Sequence, residues 1–168
     1  MRIEPGLDAQ KQALIAFFDA REGDTIEFGP GQFNFDTGLV MTGKRGITIK
    51  GAGRNRTILS FASSTAQDGV SINRVDGITI QDLTIYDAPG NGLRIFRSNF
   101  VTIRGVKVAW SNADPESPNY DATMESWAKN GSYAFYPVIC RHILIEDSVS
   151  IGSSDAGVYV GQSSDILV

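Results

Sequence analysis

The sequence contains one cysteine, Cys140, and one histidine, His142. A single cysteine excludes an intrachain disulfide. No apolar run reaches the roughly 18 residues that a membrane-spanning helix needs, no secretory signal is visible within the sequence, and Met1-Arg2-Ile3-Glu4-Pro5 fits either a start after a removed leader or a cytoplasmic protein. Basic residues form no run, and the formal net charge is −4. Both features argue against a nucleic-acid partner. With 168 residues, one domain spanning 1–168 is the natural division.

What the sequence does have is an internal period. Gly69-Val70-Ser71-Ile72 and Gly92-Leu93-Arg94-Ile95 stand 23 residues apart, as do Ala134-Phe135-Tyr136-Pro137 and Gly157-Val158-Tyr159-Val160. Between these pairs lies one period plus a 19-residue insertion, and Gly38-Leu39-Val40-Met41 leads Gly69 by 31 residues. A second strand-like run follows each first one: Ile47-Thr48-Ile49, Ile78-Thr79-Ile80, Val101-Thr102-Ile103, Ile143-Leu144-Ile145 and Ile166-Leu167-Val168. A third follows in several, as Leu83-Thr84-Ile85, Val106-Lys107-Val108 and Val149-Ser150-Ile151. These runs alternate apolar and polar residues and favour β-branched side chains. Three short strands per period predict an all-β, right-handed parallel β-helix, with rungs over residues 25–168 and like residues stacked roughly 4.8 Å apart.

In the last rung the third strand fits poorly. A one-residue shift by a bulge puts Val149 and Ile151 inward. The unshifted alternative leaves Ser148 and Ser150 in the core, with hydroxyls needing partners. Residues 8–22 read as an amphipathic helix, with Leu14, Ile15, Phe17 and Phe18 near one stripe, Asp8 as N-cap and Gly23 as stop. It is expected to cap the open end of the coil. At the other end the sequence reaches Val168 inside a strand-like run, so further rungs or another copy are expected to cover that edge.

Candidate ligand contacts come from outward positions. On the first strand these run Ser71, Arg94, Tyr136, Tyr159, while Val70, Leu93, Phe135 and Val158 face the core. Tyrosine rings offer an apolar face and a polar tip that suit sugars. An arginine fork suits a carboxylate or phosphate. The preceding turn adds Tyr133 and Asp155, so Arg94, Tyr133, Tyr136, Asp155 and Tyr159 form the expected substrate-binding set. Stacked tyrosines can also serve the sheet alone. The insertion, residues 110–132, holds Trp110, Trp127, Tyr120 and the acids Asp114, Glu116, Asp121 and Glu125. It is expected either to wall a groove beside the tyrosines or to pack on itself.

Several chemistries lack their residues. Hydrolysis by paired carboxylates needs acids on the outward ladder, and none is there. Calcium-assisted elimination needs a carboxylate cluster, and the acids are scattered. No metal or other cofactor is therefore expected. His142 aligns with Gly77 and Phe100 in a turn away from the tyrosines. Cys140 aligns with Val75 and Ser98 and reads as a small corner residue. Gly51-Ala52-Gly53-Arg54 follows a strand without opening a helix, so it reads as a tight corner rather than a dinucleotide fingerprint. Asn55-Arg56-Thr57 and Asn130-Gly131-Ser132 match a glycosylation pattern that is common by chance.

Gly23-Asp24-Thr25-Ile26 followed by Gly29-Pro30-Gly31-Gln32-Phe33 resembles the opening of pectin-lyase-like β-helix proteins. Gly51-Ala52-Gly53 with Thr57-Ile58-Leu59-Ser60-Phe61, the run Asn130-Gly131-Ser132-Tyr133-Ala134-Phe135-Tyr136-Pro137-Val138, and Ser154-Asp155-Ala156-Gly157-Val158-Tyr159-Val160-Gly161-Gln162-Ser163 resemble a bacterial family of parallel β-helix repeat proteins, in its N-terminal half. The resemblance implies an exported, periplasmic or secreted protein, encoded beside a second exported protein. It assigns no role to the tyrosines. Mannuronan epimerases of this fold carry an Asp-Pro-His run, where this sequence has Tyr136-Pro137-Val138.

Together these readings lead to an extracytoplasmic β-helix protein with a carbohydrate ligand, no nucleic acid and no membrane span. Any lyase or epimerase activity would call on Asp155 and Tyr133. The alternative is a non-catalytic scaffold that self-associates end to end or holds an exported partner protein.

Overall fold

The 23-residue offset is a register in space. The computed structural model describes residues 1–168 apart from the side chain of Met124. In it Val70 pairs with Leu93, Leu93 with Phe135, and Phe135 with Val158, all in parallel. The chain winds as a right-handed parallel β-helix with three parallel sheets of seven, five and five strands. One five-stranded sheet stacks Leu39–Thr42, Asp68–Asn73, Asn91–Phe96, Tyr133–Val138 and Ala156–Val158. It is called the first sheet here. The seven-stranded sheet runs from Arg2–Ile3 through Asp76–Gln81 to Ser164–Leu167, and the third sheet from Gly31–Asn34 through Thr84–Tyr86 and Lys107–Ala109 to Val149–Ile151.

The alternation seen in sequence becomes the core. Ile47, Ile78, Val101 and Ile143 form one buried column of the seven-stranded sheet, and Ile49, Ile80, Ile103 and Ile145 form another. Leu39, Val70, Leu93 and Phe135 face them from the first sheet, and Leu59, Ile85 and Val108 from the third. Each such side chain contributes about 1.5–3 kcal/mol by leaving water.

Between the first and seven-stranded sheets the chain turns through two left-handed residues per rung. One column holds Arg74, Arg97, Ile139 and Gln162 at φ 47–55°, and the other holds Gly77, Phe100, His142 and Asp165. The residue between the kinks points inward, as Val75, Ser98, Cys140 and Ser163. Its serines take backbone N–H groups from the preceding rung. Val75 N–H donates to Ser98 Oγ at 3.0 Å, and Cys140 N–H to Ser163 Oγ at 2.9 Å. Each hydroxyl in turn donates to a carbonyl of its own rung, Phe96 or Gly161. Cys140 is buried in this column with Sγ 3.3 Å from the Ile95 and Val138 carbonyls, and burial pushes its thiol pKa up.

The expected bulge in the last third strand does not occur. Lys107 pairs with Val149, Val108 with Ser150 and Ala109 with Ile151, so the rung stays in phase. Ser148 takes the inward corner position and meets the cost of burial, because its hydroxyl accepts from Val106 N–H at 3.3 Å and donates to the Glu146 carbonyl at 2.8 Å. Ser150 is half-buried below Val108.

The N-terminal helix spans Ala9–Asp19 and differs from expectation in three ways. Its inward stripe is Ala9, Ala13, Ala16 and Phe17, with Leu14 packed partly against the core. Ile15 and Phe18 point outward, and Phe18 is 80% exposed. The Asp8 side chain makes no capping hydrogen bond, and the helix stops at Ala20, whose extended backbone precedes Gly23. Small alanines bring the helix axis close to the coil, which a stripe of large residues would hold away. Gln10 locks the helix to the first rung by exchanging two 2.8 Å hydrogen bonds with Asp36, and Lys44 Nζ donates to the Phe18 carbonyl at 2.6 Å. Arg2–Ile3 adds a strand to the edge of Thr25–Phe28, which the sequence pattern did not announce.

Among the described residues no helix is long and apolar enough to cross a membrane.

Candidate functional site: the tyrosine face

On the outer surface of the first sheet, Ser71 pairs with Arg94 and Arg94 with Tyr136. Three residues nearer the turn, Asp68 pairs with Asn91, Asn91 with Tyr133, and Tyr133 with Ala156. Tyr159 follows Val158, the partner of Phe135, and so lies beside Tyr136.

The three tyrosines form one cluster. Ring centroids are 4.8 Å apart for Tyr133 and Tyr136, 4.9 Å for Tyr133 and Tyr159, and 5.6 Å for Tyr136 and Tyr159. The Tyr133–Tyr159 pair is stacked at 23° and the Tyr136–Tyr159 pair is edge-on at 65°. Tyr159 is 45% exposed and closes the cluster on the solvent side. Asp155 faces Tyr133 from the following turn. Hydrogen bonding to that carboxylate, followed by slight desolvation, raises the Tyr133 pKa above the ordinary phenol range. The hydroxyl therefore stays protonated at neutral pH and serves as a donor rather than a base.

Arg94 borders the cluster. Its guanidinium lies over the Phe96 ring at 4.8 Å and 3.9 Å from Asp68, a loose ion pair. Asp68 is held more tightly by Asn91 Nδ2 at 2.8 Å. All five residues singled out in sequence, Arg94, Tyr133, Tyr136, Asp155 and Tyr159, thus lie in one continuous region of surface. Arg94 comes from the rung before the insertion, and Asp155 and Tyr159 from the last.

The insertion packs on itself and on the coil. Trp110 is buried with its Nε1 donating to the Ala88 carbonyl at 2.9 Å, and Trp127 Nε1 donates to the Asp121 carbonyl at 2.8 Å. Both tryptophans pin the loop to itself and to the coil. Asn112 bonds Ser126 and Asn130, and Asn130 reaches the Gly152 carbonyl at 2.7 Å. The acids, counted as scattered in sequence, divide. Asp114 is fully buried and takes Lys107 Nζ at 2.9 Å and the Tyr86 hydroxyl at 2.5 Å, while Glu116 takes Lys107 Nζ at 2.8 Å. This network lies on the outer surface of the third sheet, where Lys107 pairs with Thr84.

Burial alone would lower the Lys107 pKa, but its bonds to Glu116 and Asp114 outweigh that and hold it above the ordinary lysine range. Burial would raise Asp114, yet the bonds from Tyr86 and Lys107 hold it below the usual carboxylate range. Tyr86 is raised, first by burial and then by its bond to Asp114. Sequence reasoning missed this network. The available signal was a lysine inside an outward β-run, with an acid seven residues later at the start of a long insertion.

His142 lies on the seven-stranded sheet, stacked on Phe100 at 4.7 Å and 3.7 Å from Asp165. It is separate from the tyrosine face.

No family model matches the chain, and no curated protein matches it. Among solved structures, the chain is similar to a pectin methylesterase mutant crystallised with a hexasaccharide. Identity is 15%, coverage is 85% of this chain and 49% of that one, and the TM-score is 0.47. The chain spans about half the length of that structure. A likeness this distant carries no functional argument.

Proposed function

We propose that the chain is an extracytoplasmic glycan-binding β-helix protein and that the tyrosine face holds the sugar chain. One observation carries this reading: Tyr133, Tyr136 and Tyr159, drawn from two rungs, have their ring centroids within 4.8–5.6 Å of one another beside Arg94. Tyrosine rings give an apolar platform for the C–H face of a pyranose, and their hydroxyls reach its polar rim. The exposed Asp155 carboxylate supplies acceptors for sugar hydroxyls at the turn edge. Arg94, whose pairing with Asp68 is long at 3.9 Å, keeps fork donors for a uronate carboxylate.

The resemblance of the Tyr133 and Tyr159 segments to exported β-helix repeat proteins supports the extracytoplasmic location.

A glycan array followed by calorimetry with oligouronates tests the reading. Binding is expected for the native chain and lost in the Tyr136→Ala, Tyr159→Ala variant. Unchanged binding in that variant overturns it.

A further inference from the structure

The Lys107 network ends in a carboxylate that is poorly matched to its partner. Lys107 and Asp114 are sequestered, with side-chain exposures of 5% and 0%, whereas the Glu116 side chain is 67% exposed. Asp114 is fixed from every side: Tyr86 and Lys107 donate to Oδ2, and the Glu116 backbone N–H donates to Oδ1 at 3.0 Å. Among the described residues, the Glu116 side chain is held only by Lys107 Nζ. It is a solvated group lying on a buried ammonium. An incoming carboxylate can replace it on the ammonium without leaving the buried charge unpaired.

Space for that other carboxylate is already present. Two cavities, of about 220 and 250 Å³, flank this contact and share Asn55, Lys107 and Glu116 as lining. The first adds Ile58, Thr84 and Tyr86, and the second adds Arg54 and Val149. Glu116 forms part of the wall of both. When its side chain swings into solvent, the Lys107 ammonium is left open to both spaces. Arg54 and Lys107 then face Asp114 alone, so the site carries one uncompensated positive charge. Arg54 is itself positioned, since its Nη1 donates to the Asp147 carbonyl at 3.1 Å.

We propose that this is a second binding site, for a ligand carboxylate, and that Glu116 occupies it in the free protein as an internal stand-in. The incoming carboxylate takes the Lys107 Nζ donor that Glu116 vacates and is flanked by Arg54. Tyr86 and Ile58 give the remainder of the ligand an apolar and aromatic wall. The site is on a different sheet from the tyrosine face and does not depend on it.

Calorimetry in the Tyr136→Ala, Tyr159→Ala background separates the two sites. The probes are trigalacturonate, its methyl ester and glutarate. With Glu116→Ala, trigalacturonate is expected to bind at least tenfold more tightly than with Glu116 intact. That gain should vanish for the methyl ester and in the Glu116→Ala, Arg54→Met variant. An equal gain for glutarate assigns the site to small carboxylates, and a gain for trigalacturonate alone assigns it to a uronate chain. Reductive methylation of Lys107, read by mass spectrometry, gives a second measure. It should be slow in the native chain, fast in Glu116→Ala, and slowed again by trigalacturonate. Unchanged affinity on removing Glu116, or a gain that the methyl ester keeps, overturns the proposal. So does Lys107 reactivity that Glu116→Ala leaves unaltered.

Discussion

Tyr133 and Tyr159 stack with ring centroids 4.9 Å apart and planes 23° apart, although 25 residues lie between them in sequence. The contact is diagonal, since the register partner of Tyr133 is Ala156. The small Ala156 leaves room over the turn, and Tyr159 leans back across it. A coil makes such contacts reproducible because each rung fixes the next.

Removing the outer half of this cluster should affect binding more than stability. Tyr136 and Tyr159 are partly solvated, and an aromatic pair contributes about 0.5–1.5 kcal/mol. Tyr136→Ala with Tyr159→Ala is expected to lower the melting temperature by a few degrees, while glycan affinity falls at least tenfold. Scanning calorimetry and isothermal titration on one preparation check both.

Asp155 governs the ionisation of Tyr133. Asp155→Asn should bring the Tyr133 phenol down toward its ordinary value, because the carboxylate that favours the neutral form is gone. Ultraviolet titration of native and variant chains, with Tyr133→Phe to identify the transition, reads the shift.

The insertion is anchored by charge. Asp114→Asn leaves Lys107 buried with only the exposed Glu116, and should cost roughly 3 kcal/mol. The pH dependence follows from the direction of the Asp114 shift. Its folded pKa is depressed, so its contribution is present above the unfolded carboxylate range and lost as pH falls through the lower folded value. Denaturant titrations from neutral to acid pH should show the native chain losing stability in that window, with a flatter profile for Asp114→Asn.

Ile139 holds a β-branched side chain at φ 55° and is 40% exposed. That conformation suits asparagine far better. Ile139→Asn is expected to stabilise the fold by about 1 kcal/mol, the scale of strain at such positions. Chemical denaturation midpoints measure it.

Leu93 sits fully buried between Val70 and Phe135. Leu93→Ala should cost about 2–5 kcal/mol, since rungs above and below restrict collapse into the cavity.

How far the sequence could be read depends on what repeats. The columns Val70, Leu93, Phe135 and Ile78, Val101, Ile143 were legible because period-two alternation and a constant offset act together. The tyrosine face followed from that register. The helix was misread because its inward stripe is mostly alanine, which carries little apolar signal, while exposed Ile15 and Phe18 carry much. The phase of the last third strand was misread because Ser148 appears polar in isolation. Its two partners, Val106 N–H and the Glu146 carbonyl, belong to the corner geometry. The Lys107 anchor was hidden because Asp114 and Glu116 lie in an insertion, where no repeat predicts which side chain turns inward.

The central claim is that a sugar chain lies across the tyrosines. Aromatic-ring NMR of the chain with labelled tyrosine, titrated with an oligouronate that the glycan array selects, tests it most directly. The account predicts saturable shifts of the Tyr133, Tyr136 and Tyr159 ring resonances, while Tyr120 stays still. Saturable binding that leaves those three rings unmoved would contradict it.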